Sequence, residues 1–317
     1  MHTSYRSVTK RALLTALGII VLFGISQCSK PQGPIGTPAK GDPEIFTTFY
    51  PTRYFAETIA GGAVKVTCPC PADADPIFWK PDRDTLAAYQ KADLVILNGA
   101  SFEKWVAKVS LPQSRVVDSA KGLSLLNFEH ATTHSHGPAG EHSHEGIDGH
   151  TWVDPVNALH QATHIHAAMV KHFPEHKATF DSGFAKLKDQ LSKLDSGLQD
   201  ISKTMAQTPI LCSHPAYNYV GKRYNWNLRN LDLDPETELT EKQLQQIRTL
   251  RKDHPAKILL WEGTPSKAVA SQTEDLGLRN VLFSPCEGTP DAQEGDYIAV
   301  MNRNLETLRS ALSGNGK

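Results

Sequence analysis

Between residues 45 and 117, short apolar runs alternate with stretches of helical spacing. Ile45 to Tyr50, "IFTTFY", is β-branched and aromatic and reads as a strand. Helical spacing follows from Pro51 to Ala60, a second strand from Ala63 to Cys68, and a helix from Asp82 to Lys91. Ala92 to Asn98, "ADLVILN", is a continuous apolar run of the kind buried on both faces of a parallel sheet. Phe102 to Val109 reads as helix and Ser114 to Val117 as a short strand. Such alternation predicts βα units around a parallel sheet.

The pattern changes after Pro155, where the chain turns almost wholly helical as far as Gln207, with one joint at Phe173-Pro174. Phe180, Phe184, Leu187, Leu191, Leu194 and Leu198 recur at spacings of three and four. They predict one amphipathic helix from Pro174 to Gln207, of roughly 33 residues and about 50 Å. Strand and helix then alternate again. Strands are expected at Pro209–Cys212, Leu228–Leu233, Ile258–Trp261 and Val281–Phe283, and helices at Ala216–Arg223, Thr240–Lys252, Lys267–Leu276 and Tyr297–Leu312. The expected fold class is α/β. Two parallel-sheet βα lobes, 44–154 and 208–317, are joined by linking helices at 155–207 whose long member is a rigid spine. A cleft between such lobes is the default ligand site.

Two segments stand outside this pattern. Arg6, Lys10 and Arg11 precede the apolar stretch Leu13 to Ile25, which is short for a membrane span. Residues 1–27 therefore read as an export signal. Ile25-Ser26-Gln27-Cys28 resembles a bacterial lipobox, with Cys28 the lipid-modified residue; a cleaved soluble chain and an uncleaved anchor are the alternatives. Residues 28–43, rich in Pro and Gly, read as a flexible tether. The second segment, His130 to His150, has no apolar periodicity and holds His130, His134, His136, His142, His144 and His150. It reads as a low-complexity loop able to collect Zn²⁺, Cu²⁺ or Ni²⁺ loosely.

Charge adds little beyond an exclusion. The chain has 317 residues, 33 basic and 34 acidic, so no basic face argues for nucleic acid. Cysteine matters more, because export leads to an oxidising compartment. Cys68, Cys70, Cys212 and Cys286 remain after Cys28, with three pairings open. Cys68-Pro-Cys70 lacks the spacing of a thioredoxin-like pair. No metalloprotease, serine-hydrolase or P-loop motif occurs, so no enzyme is expected. His160 and His164 have the i, i+4 spacing of a metal pair but read as ordinary surface residues.

"TTFYP" at 47–51, "ADLVILNGASFEKW" at 92–105, "HTWVDP" at 150–155, "SHPAYNYVGKRY" at 213–224, "DPETELTEKQL" at 234–244 and "GDYIAVMNRNLETL" at 295–308 occur in order. Together they resemble the zinc/manganese group of solute-binding proteins of ABC importers, from about Ile45 to Leu312. The resemblance implies a buried metal, Zn²⁺ or else Mn²⁺, held between two lobes by about four side chains. It implies that His150 and His214 are ligands and that Glu262 sits close by, as support or as a ligand. Ile77 stands where the group has its first His, and Ser284 where it has an Asp. Asp75, Cys70 and Cys286, with Ser284 itself, are the candidates to stand in. The implied partners are a membrane permease and, through Cys28, the membrane; the implied form is a monomer, periplasmic or at the cell surface. Two other readings stay open: a surface adhesion or interaction protein with a decayed metal site, and a Cu(I)/Zn chaperone using the cysteines.

Overall fold

The computed structural model describes residues 42–314 except 73, 129–131, 136–140 and 145. The export signal, Cys28, nearly all of the tether, His130 and His136 lie outside the described residues. Strand β1 (Glu44–Thr47) leads into helix α1 (Tyr50–Ala60), then β2 (Lys65–Thr67), α2 (Arg83–Lys91), β3 (Leu94–Leu97) and β4 (Val116–Asp118). The four strands form one parallel sheet in the order β2-β1-β3-β4. Asp82 caps α2 by accepting from the Thr85 amide, so the predicted helix start is one residue early.

Two short strands, β5 (Thr132–Ser135) and β6 (Glu141–His144), then form an antiparallel hairpin with His134 opposite His142. This corrects the expectation of a loop without regular structure. Every residue of the two strands is polar, so a search for apolar periodicity passes over them.

Helices α3 (Pro155–His172) and α4 (Lys177–Gln207) follow, separated by a 3₁₀ turn at Pro174–His176. The spine is thus 31 residues, and the start expected at Pro174 is a separate 3₁₀ turn at the proline joint. Phe180, Leu187, Leu191, Leu194 and Leu198 are fully buried in one core shared by both lobes; Phe184 is half-buried at its edge. Gly183 lets α1 approach closely: a Cβ there would lie 2.3 Å from the Thr58 carbonyl oxygen and 2.7 Å from that of Ile59.

The second half repeats the design of the first. β7 (Ile210–Cys212), α5 (Asn218–Arg223), β8 (Leu228–Asn230), α6 (Glu241–Asp253), β9 (Ile258–Trp261), α7 (Lys267–Asp275) and β10 (Arg279–Leu282) build a parallel sheet ordered β10-β9-β7-β8. Helix α8 (Tyr297–Leu312) packs back on α4. Each sheet has a switch point where the strand order reverses: between β1 and β3 in the first, between β7 and β9 in the second. Ligands of open α/β sheets bind beyond the carboxyl ends of the strands at such points.

The two switch points are not equivalent. In the first, the predicted helix at 102–109 is only a 3₁₀ turn at Val106–Lys108. Gly99, Ala100 and Ser101 all take left-handed backbone, φ 81°, 51° and 57°, and the turn they make brings Glu103 to the carboxyl ends of β1 and β3. Its buried carboxylate accepts from the Thr48 hydroxyl and from the amides of Asn98, at 2.6 Å, and Gly99, at 3.3 Å. The first switch point is therefore plugged by the protein's own side chain. The second opens into a cleft. Among the described residues, no helix is long and apolar enough to cross a membrane.

Candidate metal centre

His214 leaves the end of β7 and Glu262 the end of β9. Adjacent strands at the open switch point thus deliver an imidazole and a carboxylate side by side, with His214 Nδ1 3.9 Å from Glu262 Oε2. Both line a cavity of about 470 Å³ together with Asp75, Ile77, Ser284 and Glu287.

His150 lies on the segment joining the hairpin to α3 and is buried next to the cavity rather than among its lining residues. Trp152 anchors that segment. Its ring is fully buried against Phe49 and Phe102, its Nε1–H donates to the Pro285 carbonyl at 2.7 Å, and its own carbonyl accepts from the Tyr297 hydroxyl. The His150 ring is 1% exposed and lies 5.6 Å, centroid to centroid, from that of His214.

Asp148 orients His150. One carboxylate oxygen accepts from the His150 amide at 2.9 Å and contacts ring Nδ1 at 2.7 Å. The other accepts from Asn218 Nδ2 at 2.9 Å. A carboxylate on Nδ1 leaves Nε2 as the nitrogen that a metal would take, an arrangement that supports many histidine ligands. Nε2 points at Glu287, whose Oε1 is 3.1 Å away. Asp148 and Glu287 were not singled out from the sequence. Asp148 had a local signal, an acid two residues before a candidate ligand in "DGH". Glu287 had none, because only the return of the chain after β10 brings it to the cleft.

The other sequence candidates fall in different places. Asp75 lines the cavity, with Oδ1 accepting from the Ile77 amide at 2.9 Å. Ile77 lines it too, and 6% exposed it is part of the shared core. Ser284 reaches the rim, but its hydroxyl accepts from the Cys286 amide at 3.1 Å and so closes a turn. Cys286, in left-handed backbone at φ 60°, is buried in the core and does not line the cavity. Cys70 belongs to a neighbouring crevice. No disulfide joins Cys68, Cys70, Cys212 and Cys286. His160 and His164 stack on the α3 surface at 4.4 Å.

The electrostatics of the cleft are unusual. Burial, together with the nearby carboxylates of Glu287, Asp75 and Asp234, pushes Glu262 up to about 8, against the opposing pull of His150. Burial works against a charged His150, but Asp148 and Glu287 outweigh it and hold the ring's pKa up at about 10. The donors surround a common space rather than a common point. Among the described residues, no three His, Cys, Asp or Glu side chains are gathered as a formed metal site.

These shifts fix a sign. His150 rises from 6.5 and Glu262 from 4.5, so both hold a proton more tightly folded than unfolded. Stability from His150 is complete below pH 6.5 and lost as pH rises towards 10; that from Glu262 is lost between 4.5 and 8. The metal-free protein should therefore melt at a lower temperature at pH 9 than at pH 6. Melting curves in chelator across that range check this, and a flat or rising profile would remove the assigned roles of Asp148 and Glu287.

A family model described as zinc-uptake complex component A, periplasmic, matches residues 45–311. The zinc-binding lipoprotein AdcA of Streptococcus pneumoniae (strain ATCC BAA-255 / R6) is 27% identical over 97% of this chain and 62% of its own length. The chain thus spans less than two thirds of that relative. The high-affinity zinc uptake system protein ZnuA of Bacillus subtilis (strain 168) is 28% identical, covering 91% of this chain and 93% of that protein. Among solved structures, the metal-dependent lipoprotein YcdH from Bacillus subtilis superposes with a TM-score of 0.72 at 25% identity, over 84% of this chain and 98% of that one. Zn(II)-bound AdcA from Streptococcus pneumoniae superposes equally well, TM-score 0.72 at 24% identity over 85% of this chain and 57% of that one, which speaks for the fold alone.

Proposed function

The chain belongs to the zinc-uptake complex component A family, and from that premise we propose that it is an exported receptor that captures Zn²⁺ in the cleft and delivers it to the permease of an ABC importer. The metal is cargo, and the protein's work is binding and release without catalysis. The observation that carries this reading is the crowding of Glu262, Glu287 and Asp75 around two histidines. Crowded carboxylates favour a cation, and a divalent ion replaces the proton that burial and its acidic neighbours make Glu262 hold.

In this reading His150 through Nε2, His214, Glu262 and Glu287 hold the ion. Imidazole with carboxylate suits Zn²⁺ and also Mn²⁺; the zinc-named relatives favour Zn²⁺. Glu287 supplies the donor that Ile77 and Ser284 do not. That weakens the rival reading of an interaction protein with a decayed site, which rested on those two positions. Asp148 and Asn218 orient His150 and stay outside the coordination sphere. The histidines of 130–144 add weaker sites.

Capture must displace protons from His150 and Glu262, so affinity should rise from pH 6 to pH 8. Calorimetric titration of metal-free protein should give one tight Zn²⁺ per chain, with a proton release visible as a dependence on buffer ionisation enthalpy. Absence of a tight first equivalent at pH 7.5 would overturn the receptor reading.

A further inference from the structure

Beside the cleft runs a narrower crevice lined by Tyr50, Arg53, Cys68, Cys70, Glu287 and Thr289 among others. Cys68 and Cys70 flank Pro69 on the segment that leaves β2, and the proline ring fixes the backbone between them. Cys68 and Cys70 are both half-buried and line this one crevice. The Cys70 thiol contacts the Pro71 carbonyl oxygen at 3.7 Å. Both sulfurs lie close enough to the buried Tyr89 hydroxyl to oppose its ionisation. Two half-buried thiols on one stiff turn therefore open into one crevice, and no disulfide joins them.

We infer that Cys68 and Cys70 form a second metal site, selective for a soft monovalent d¹⁰ cation of the Cu(I) class. Two thiolates complete the linear coordination such an ion accepts. Zn²⁺ prefers four ligands in a tetrahedron, which two thiols do not supply. On binding, each S–H gives its proton to water and two metal–sulfur bonds form, with no change of oxidation state. The product, one monovalent cation with two thiolates, carries a net charge of −1. Arg53 lines the same crevice and favours the Cys68 thiolate, so its guanidinium offsets that charge, although it also pairs with Glu57 at 2.8 Å. Burial pushes the Cys68 thiol up and keeps it protonated until a cation arrives. Glu287 lines both spaces, yet the thiol site requires neither His150 nor His214. It stands apart from the zinc reading.

The test uses the full chain, reduced and kept without oxygen, with Cu(I) supplied from a chromogenic Cu(I) chelator. One Cu(I) per chain should leave the chelator and give a thiolate-to-metal absorption band. Cys68→Ser and Cys70→Ser should each lose that equivalent and the band, while Cys212→Ser and His214→Ala keep them. Arg53→Gln, which leaves both thiols in place, should weaken Cu(I) retention and leave the zinc titration unchanged. Melting curves show that each variant is folded. Retention of the band in the double variant Cys68→Ser/Cys70→Ser, or its loss in His214→Ala, would sink the proposal.

Discussion

Zinc titrated into metal-free protein carrying both His150→Ala and His214→Ala should give no tight isotherm. The two rings come from different elements and their centroids lie 5.6 Å apart, so neither substitutes for the other. Zinc held by about four ligands at neutral pH is worth ~10–16 kcal/mol in the best-studied small domains, or roughly 3 kcal/mol per ligand. Two lost ligands then cost about 6 kcal/mol, on the order of 10⁴ in affinity. The loss exceeds what replacing Asp148 would do, since removing a group that only orients a ligand costs about 10–100-fold. Weak uptake by the histidines of 130–144, present in both proteins, should persist and serve as the baseline. A double variant whose first equivalent binds as tightly as the parent's would show that the ion sits elsewhere.

Gly183→Ala lowers the melting temperature even though it puts a better helix former into the middle of α4. The propensity gain is about 1 kcal/mol. Against it stands a Cβ only 2.3 Å from the Thr58 carbonyl oxygen and 2.8 Å from the Ile59 Cα, both backbone atoms of α1. Such atoms cannot turn aside as a side chain can, so α1 and α4 must separate. Overpacking of this kind costs about 1–3 kcal/mol, occasionally more, and a backbone clash falls at the upper end. A net loss of about 2 kcal/mol corresponds to a fall of roughly 4–8 °C for a chain of this size. Gly277→Ala serves as contrast: nothing lies within 4 Å of the added Cβ, although its φ of 72° strains the backbone locally. A Gly183→Ala protein that melts at or above the parent temperature would mean the spine is free to slide on α1.

The strands and helices were legible wherever a single local rule decided them. Ile258–Trp261 is a strand because four consecutive apolar residues suit a sheet covered on both faces, and all four are buried. Tyr297–Leu312 is a helix because its apolar residues repeat at helical spacing behind Asp296, whose side chain accepts from the Ala299 amide. The reading failed at 102–109, where helical spacing lost to three left-handed residues and an inward-turned Glu103. It failed again at 132–144, where every residue of the two strands is polar.

The site divides in the same way. His150, His214 and Glu262 could be picked out one at a time, by the match of short motifs to the family they resemble. Their convergence could not, since it depends on two sheets meeting across a spine of 31 residues. Glu287 is 137 positions from His150 in the chain and 3.1 Å from it in space. No spacing rule reaches that far. By itself the sequence determined the α/β class, the repeated βα pattern, the spine and two candidate ligands, because each depends on periodicity or on a few neighbouring residues. Only the tertiary structure decided that one switch point is plugged and the other open, that Asp75 and Glu287 face the cleft, and that Cys286 turns into the core. Those outcomes depend on which distant surfaces are buried together, and burial is a property of the packed chain rather than of any segment of it.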